Sequence, residues 1–327
     1  AQGAHIEMAL DLGQIRAGGN SAPISEVELE LIKGSPEDLL KAGRALADEL
    51  PVRLLNASKA DRGYRLAGHM PPPRATKAGA VELRKKASAE RAFITILQRG
   101  IFQLQANEPL VLSRPRDIEG AHQMRVASRS MRSCLQLYRP LIPTAVSAEA
   151  SSNIRRVTDA LGPARDWDVF IEETLLPLRQ EFPQHQSLQA MVHAAGEKRE
   201  IAYLDAASFI ESRDYTRLLL DLSLWLEQRA WRKAIGRAQL ETLDRRARRF
   251  AREVLDRHHK KVVRQGRRFD ELDAVQRHQL RIHCKRLRYA AEFFASLFGH
   301  KRSGTFIASL TAIQDVLGVL NDGRMVA

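Results

Sequence analysis

The chain has 327 residues, enough for about two domains with buried cores, and no run of eighteen apolar residues that could cross a membrane. Its net charge of +13 is uneven: residues 1–70 hold 8 Lys and Arg against 10 Asp and Glu, leaving 44 against 29 for residues 71–327, so the second part calls for an anionic partner. The two cysteines, Cys134 and Cys284, make no disulfide framework and point to a reducing cytoplasm.

In chain order, "HIEMALDLG" and "ISEVELELIKG" come first and alternate polar with apolar residues, the period of a strand. On the second, Glu26, Glu28 and Glu30 project from one face and Val27, Leu29 and Leu31 from the other. Clustered carboxylates suit hard divalent cations; with no cation to hold, they are an exposed polar face. After "LLKAGRALADEL" and "NASKADRGYRLA" the composition breaks at "GHMPPPRATKAGA". Three consecutive prolines followed by small residues predict a semi-rigid linker over 68–88.

Beyond the linker nearly everything repeats at helical period, and residues 89–327 are predicted to be all-α. "SAERAFITILQRGIFQLQANE" sets Phe93, Leu97, Ile101 and Leu104 on one stripe, with Asn107 near its end. "DYTRLLLDLSLWLEQRAW" and "LRYAAEFFASLFG" read the same way. Ahead of both lies "HQMRVASRSMR", where His122, Arg125, Arg129 and Arg132 fall within roughly 80° of arc. Like charges at these spacings repel by about 0.2–0.5 kcal/mol per pair. Met124, Ala127, Met131, Leu135 and Tyr138 form a separate apolar stripe, so the helix should bury that face and line a surface or cleft with the cations.

Shifted by 156 residues, "HQMRVASRSMR" falls on "HQLRIHCKRLR". His122 meets His278, Arg125 meets Arg281, Arg129 meets Lys285, and Arg132 meets Arg288. The same shift lays "DALGPARD" (159–166) on "DVLGVLND" (315–322), and the two matches argue for duplicated helical subdomains. One cationic stripe is most often a solvated face; two at one offset suggest a shared channel for a chain of phosphates. There Arg would fork onto two oxygens and Lys would act as a point charge. The histidines are either hydrogen-bond donors or, beside an anion, conditional cations. Asp166 and Asp322 read as helix caps or as holders of an arginine. Adjacent His258 and His259 diverge on a helix and predict no metal site.

Residues 89–327 resemble the CHAD family, the conserved histidine α-helical domain. The resemblance rests on "HQMRVASRSMRSCLQLYRPL", "LGPARDWDV", "RLLLDLSLWLEQRAW", "HQLRIHCKRLRYAAEFF" and "IQDVLGVLND". It implies two four-helix bundles related by a pseudo-two-fold, with a basic central surface that binds inorganic polyphosphate and needs no cofactor. The matching positions are His122, Arg125, Arg129, Arg132, His278, Arg281, Lys285 and Arg288, and Arg155 enters on the resemblance alone. Two departures are Lys285, opposite an arginine of the first repeat, and Asn321, opposite Arg165.

The upstream segments "IEMALDLGQIRAG", "PISEVELELIKG", "LLKAGRALADEL" and "NASKADRGYRLA" are similar to the C-terminal part of a CYTH domain. This is the triphosphate tunnel metalloenzyme fold, a partial antiparallel β-tunnel here, which hydrolyses triphosphate with Mg²⁺ or Mn²⁺. The similarity implies Glu26, Glu28 and Glu30 as metal ligands, and Lys59 and Arg62 of the Ser-Lys-x-x-Arg-Gly segment as triphosphate contacts. That family's Glu-x-Glu-x-Lys strand is missing, so residues 1–67 are expected to be an incomplete active site. The expected parent is a CYTH–CHAD inorganic triphosphatase, cytoplasmic and located at polyphosphate granules, with a non-catalytic CHAD region.

Rival functions have less support in the residues. The helical region holds no Gly-rich phosphate loop, no GxSxG, no HExxH and no paired-cysteine zinc pattern. RNA or DNA is the second choice of ligand, because readers of single strands interleave aromatics for stacking. Aromatics are 6% of this chain and the stripes contain none. A basic scaffold for protein docking ranks third.

Overall fold

The alternating segments form strands β1 (His5–Ala17) and β2 (Asn20–Lys33) in a computed structural model that describes residues 3–114 and 116–322. They pair antiparallel through a turn at Gly18 and Gly19, whose φ angles of +56° and +79° are the left-handed values a tight hairpin turn needs. Helices α1 (Pro36–Glu49) and α2 (Lys59–Leu66) follow, each opened by a capping box, Ser35 with Asp38 and Ser58 with Asp61. The rest is helical: α3 (Ala89–Leu112), α4 (Ile118–Tyr138), α5 (Thr144–Ala160), α6 (Gly162–Phe170), α7 (Leu176–Glu181), α8 (Gln186–Glu211) and α9 (Arg213–Gln228). Then come α10 (Trp231–Ala234), α11 (Arg237–Asp244), α12 (Ala247–Gly266), α13 (Ala274–Phe294) and α14 (His300–Asp322). The fold is therefore mainly α, 71% helix, with a small antiparallel sheet at its start.

Two compact units emerge, and α3, α4 and α5 contribute residues to both. The first unit comprises residues up to Lys77, Ile101–Ser128 and Ser152–Ala230. Within it α1 packs along α9. Arg44 Nε donates to Asp221 at 2.6 Å, and the Arg213 guanidinium donates to the carbonyls of Asp48 (3.0 Å) and Glu49 (3.3 Å). A cation on the last carbonyls of α1 also suits that helix's dipole. The hairpin segment is thus fastened to a helix and does not hang from the linker alone. Asn107, expected near the end of its helix, instead clasps the linker, accepting from Thr76 N at 2.9 Å and donating to Thr76 O at 3.0 Å.

The second unit comprises Ala78–Gly100, Arg129–Ser151 and the chain from Trp231 onward. Its core is aromatic: Phe93 lies 4.8 Å from Tyr138 and 5.4 Å from Trp231, and Phe250 lies 4.9 Å from Tyr138, centroid to centroid. Buried Glu90 accepts from Trp231 Nε1 at 2.8 Å and from Arg232 at 2.9 Å, so its charge is paired as well as hydrogen-bonded. The latter part of the 68–88 stretch has no helix or long strand but is tied down. Val81 and Leu83 are buried, and the Ser296 hydroxyl donates to Val81 O at 2.7 Å and accepts from Leu83 N at 3.0 Å. Apolar residues spaced by two turned the expected linker into a strap.

One buried carboxyl of the first unit has a measurable consequence. Glu108 accepts a 2.8 Å hydrogen bond from Tyr215, yet burial pushes its pKa from 4.5 to about 7 against that bond and the charge of Arg53. Folding therefore takes up a proton between those values, and stability falls as pH rises from 4.5 towards 7. Glu108→Gln keeps an acceptor for Tyr215 and removes the charge. Thermal unfolding should show the variant stabilised by up to about 3 kcal/mol at pH 8 and nearly unchanged at about pH 4. Equal shifts at both pH values would contradict the buried-carboxyl explanation.

Candidate functional site

The second cationic stripe is built on α13. Asp273 caps it, accepting from Gln276 N at 2.8 Å, and this start fixes which residues face inward. Leu280, Cys284, Leu287 and Ala291 are buried, leaving His278 and Lys285 exposed and Arg281 and Arg288 half-buried on another side. In the same unit α4 brings Arg129, half-buried, and Arg132, exposed. Met131 seats this part of α4 so closely on α3 that any side chain at Gly100 would collide with it.

These groups converge on Lys285. Its side chain reaches solvent, but crowding strips enough water from the ammonium to lower its pKa, and Arg129, Arg288, Arg281 and Arg132 lower it further. Five cations from two helices thus share one field. Arg129 Nε is buried and has no acceptor among the described residues. Arg288 is the partial exception: it donates to Glu292 at 2.6 Å and to Gln314 at 3.2 Å, and lies 5.0 Å over the Tyr289 ring. The periodicity of the stripe gave no warning of that carboxylate.

The remaining predicted residues of the first stripe belong to the first unit. His122 is half-buried, and Arg155 is exposed on α5. Arg125 donates to Thr158 O at 3.3 Å and stands 3.9 Å from Asp166, the acid read as an arginine holder. A Cβ at Gly162 would lie 3.1 Å from the Arg125 guanidinium, and one at Gly318 would lie 3.4 Å from that of Arg281. In both repeats the arginine rests over the glycine thirty-seven residues later. The side chain of Asp322, which matches Asp166, lies outside the described residues.

The hairpin carries a second constellation. The register sets Asp11 opposite Glu26, Ala9 opposite Glu28 and Glu7 opposite Glu30. Asp11, Glu26 and Glu28 offer oxygens within 4.8 Å of one another, and Glu30 is not in that group. Asp11 was missed from the sequence, though extending the alternation across the Gly18-Gly19 turn would have found it. Lys59, at the first position of α2, places Nζ 2.6 Å from Asp11, 2.6 Å from Glu28 and 3.2 Å from Glu26. The hydrogen bonds to Asp11 and Glu28 hold its pKa well above the ordinary lysine range. Arg62, one turn later, pairs with Glu26. Three hard oxygen donors suit Mg²⁺ or Mn²⁺, and Lys59 is the cation such an ion would compete with.

Among the described residues no helix is long and apolar enough to cross a membrane. The profile of the CHAD domain matches residues 95–327, which include both stripes. A crystal structure of the CHAD domain from the plant Ricinus communis is similar, with a TM-score of 0.62 and 30% identity, covering 77% of this chain and 82% of that one. An inorganic triphosphatase of Haemophilus influenzae is 45% identical over 65 residues, 20% of this chain, and the chain spans 18% of that relative's length. With a family match over most of its residues, and that fold likeness beside it, the chain belongs to the CHAD domain family.

Proposed function

We propose that the chain binds inorganic polyphosphate, with the cluster around Lys285 as its main site. The observation that carries this reading is the gathering of Arg129, Arg288, Arg281 and Arg132 around Lys285, where burial first and these cations next lower the lysine pKa. A polyanion laid across them turns repulsion into attraction and releases counterions. His278 on α13, and His122, Arg125 and Arg155 of the first unit, are further phosphate contacts in this reading. The recurring arginine-over-glycine contact supports a duplication into two four-helix bundles related by a pseudo-two-fold. The helical region binds without a cofactor and does no chemistry of its own.

An inorganic triphosphatase activity is proposed for the protein by its likeness to the Haemophilus influenzae relative, and a cytoplasmic place at polyphosphate granules by the ligand proposed for its cations. Mg²⁺ or Mn²⁺ would be held by Asp11, Glu26 and Glu28, with Glu30 kept from the sequence reading as a more distant acid. The ion would supply charge neutralisation at phosphate oxygens. Lys59 and Arg62 would turn from their carboxylates to the triphosphate.

Three outcomes follow from this reading. Polyphosphate should outcompete single-stranded RNA of matched charge, with affinity falling steeply as salt rises; equal competition in a fluorescence anisotropy assay would favour the nucleic-acid alternative. Lys285→Gln should relieve repulsion, raising the melting temperature by about 1–3 °C, while weakening polyphosphate binding about tenfold. Loss of both stability and affinity would make Lys285 a structural residue instead. Lys59→Met should strengthen Mn²⁺ binding several-fold, read from the signal of free Mn²⁺ by electron paramagnetic resonance. Unchanged or weaker binding would remove the hairpin carboxylates from the metal site.

A further inference from the structure

A second group of cations lies in the seam between α12 and α13, within the second unit. Along α12, Ala247, Ala251, Val254, His258, Lys261 and Gln265 share one stripe, spaced by fours and threes. The first three are buried and apolar, as a helix seam should be. The last three are polar, with His258 and Gln265 half-buried and Lys261 reaching solvent. Helix α13, which packs against α12, answers them with His283 and Arg286. Beside the apolar contact of Val262 with Leu280 and Cys284, this stretch of the seam therefore gathers like charges.

No acid balances it. Among the described residues Arg257, Lys261, Arg264 and Arg286 have no carboxylate partner, since nearby Glu253 is taken by Arg245 and Arg249, and Glu271 by Arg268. The charged groups that act on His258 are Arg257, Lys261, Arg286 and His283; those that act on His283 are Arg286, Lys261 and Arg264. His258 Nδ1 is buried with no partner among the described residues. His283 Nδ1 is 2.7 Å from Gln265 Oε1 and so carries the ring proton, which leaves the neutral ring's lone pair on Nε2. Burial first, and then these cations, hold His258 down at about 4 and push His283 below the ordinary histidine range.

We propose that this seam is a second oxyanion site, separate from the cluster around Lys285, which takes a compact phosphate-type anion between Lys261 of α12 and Arg286 of α13. A guanidinium fork meets two oxygens of such a group, an ammonium meets a third, and Arg257 and Arg264 flank the opening. Protonated His283 would add a donor, so the anion enters with a proton. The site stands on its own residues and does not depend on polyphosphate binding at Lys285.

The test uses the whole 327-residue chain with histidine ring signals followed by NMR near pH 6, and inorganic pyrophosphate as the probe. Pyrophosphate should move the His258 and His283 signals towards their protonated positions, raising each pKa by about one unit. The paired change Lys261→Met with Arg286→Met should abolish that shift, with Arg286→Gln alone as the milder variant, and Lys285→Gln should leave it intact. Stationary signals in the unaltered chain, or a shift that survives the paired change, would overturn the site. A shift lost in Lys285→Gln would also overturn it, by assigning the anion to the other cluster.

Discussion

Everything functional in the helical region depends on one constraint: cations that repel one another are held side by side by apolar faces that cannot leave the core. On α4 the buried residues include Met124, Ala127, Met131, Cys134 and Tyr138; on α13 they include Leu280, Cys284, Leu287 and Ala291. Burying such side chains stabilises each helix by about 1.5–3 kcal/mol per large residue, several times the repulsion of one charge pair. The helices therefore settle by their apolar stripes, and the charged stripes go where that geometry sends them. There burial first, and then the neighbouring arginines, lower the pKa of Lys285.

The two ends of the chain handle charge in opposite ways. The hairpin acids bring their own cations, since Lys59 sits among Asp11, Glu26 and Glu28, and Arg62 pairs with Glu26. Two cations offset most of the charge of three carboxylates, and a metal ion or an anionic substrate has to displace a partner. On α13 Lys285 lies among arginines, and Arg288 also pairs with Glu292. A cluster of acids with cations between them suits exchange during a reaction, whereas a field of cations suits capture of a polyanion.

Much of the chemistry lay open in the sequence because it is periodic. The spacing of His278, Arg281, Lys285 and Arg288 set them on one side of α13, and the structure couples three of them to Arg129 and Arg132. Asp166 could be read as an arginine holder because it follows a Leu-Gly stop, and it stands 3.9 Å from Arg125. Local pattern said less where the outcome depended on a partner element. The proline-rich stretch looked like a linker, but Val81 and Leu83 bury themselves and Ser296 ties their backbone down. Glu30 shares a face with Glu26 and Glu28, yet strand pairing put Asp11 in its place beside them.

By itself the sequence determined what local spacing controls: helix or strand, which residues share a face, the offset of 156 between repeats, and an excess of cations without acids on the stripes. Those follow from the 3.6- and 2-residue periods of the backbone. Only the tertiary structure decided which faces meet. It brought Glu108 under Tyr215, placed Lys59 among three acids, and gathered His258, Lys261, His283 and Arg286 in the seam of α12 and α13. A pKa or a binding field depends on neighbours a few ångströms away, and in these cases the neighbours come from distant stretches of chain that no local period records.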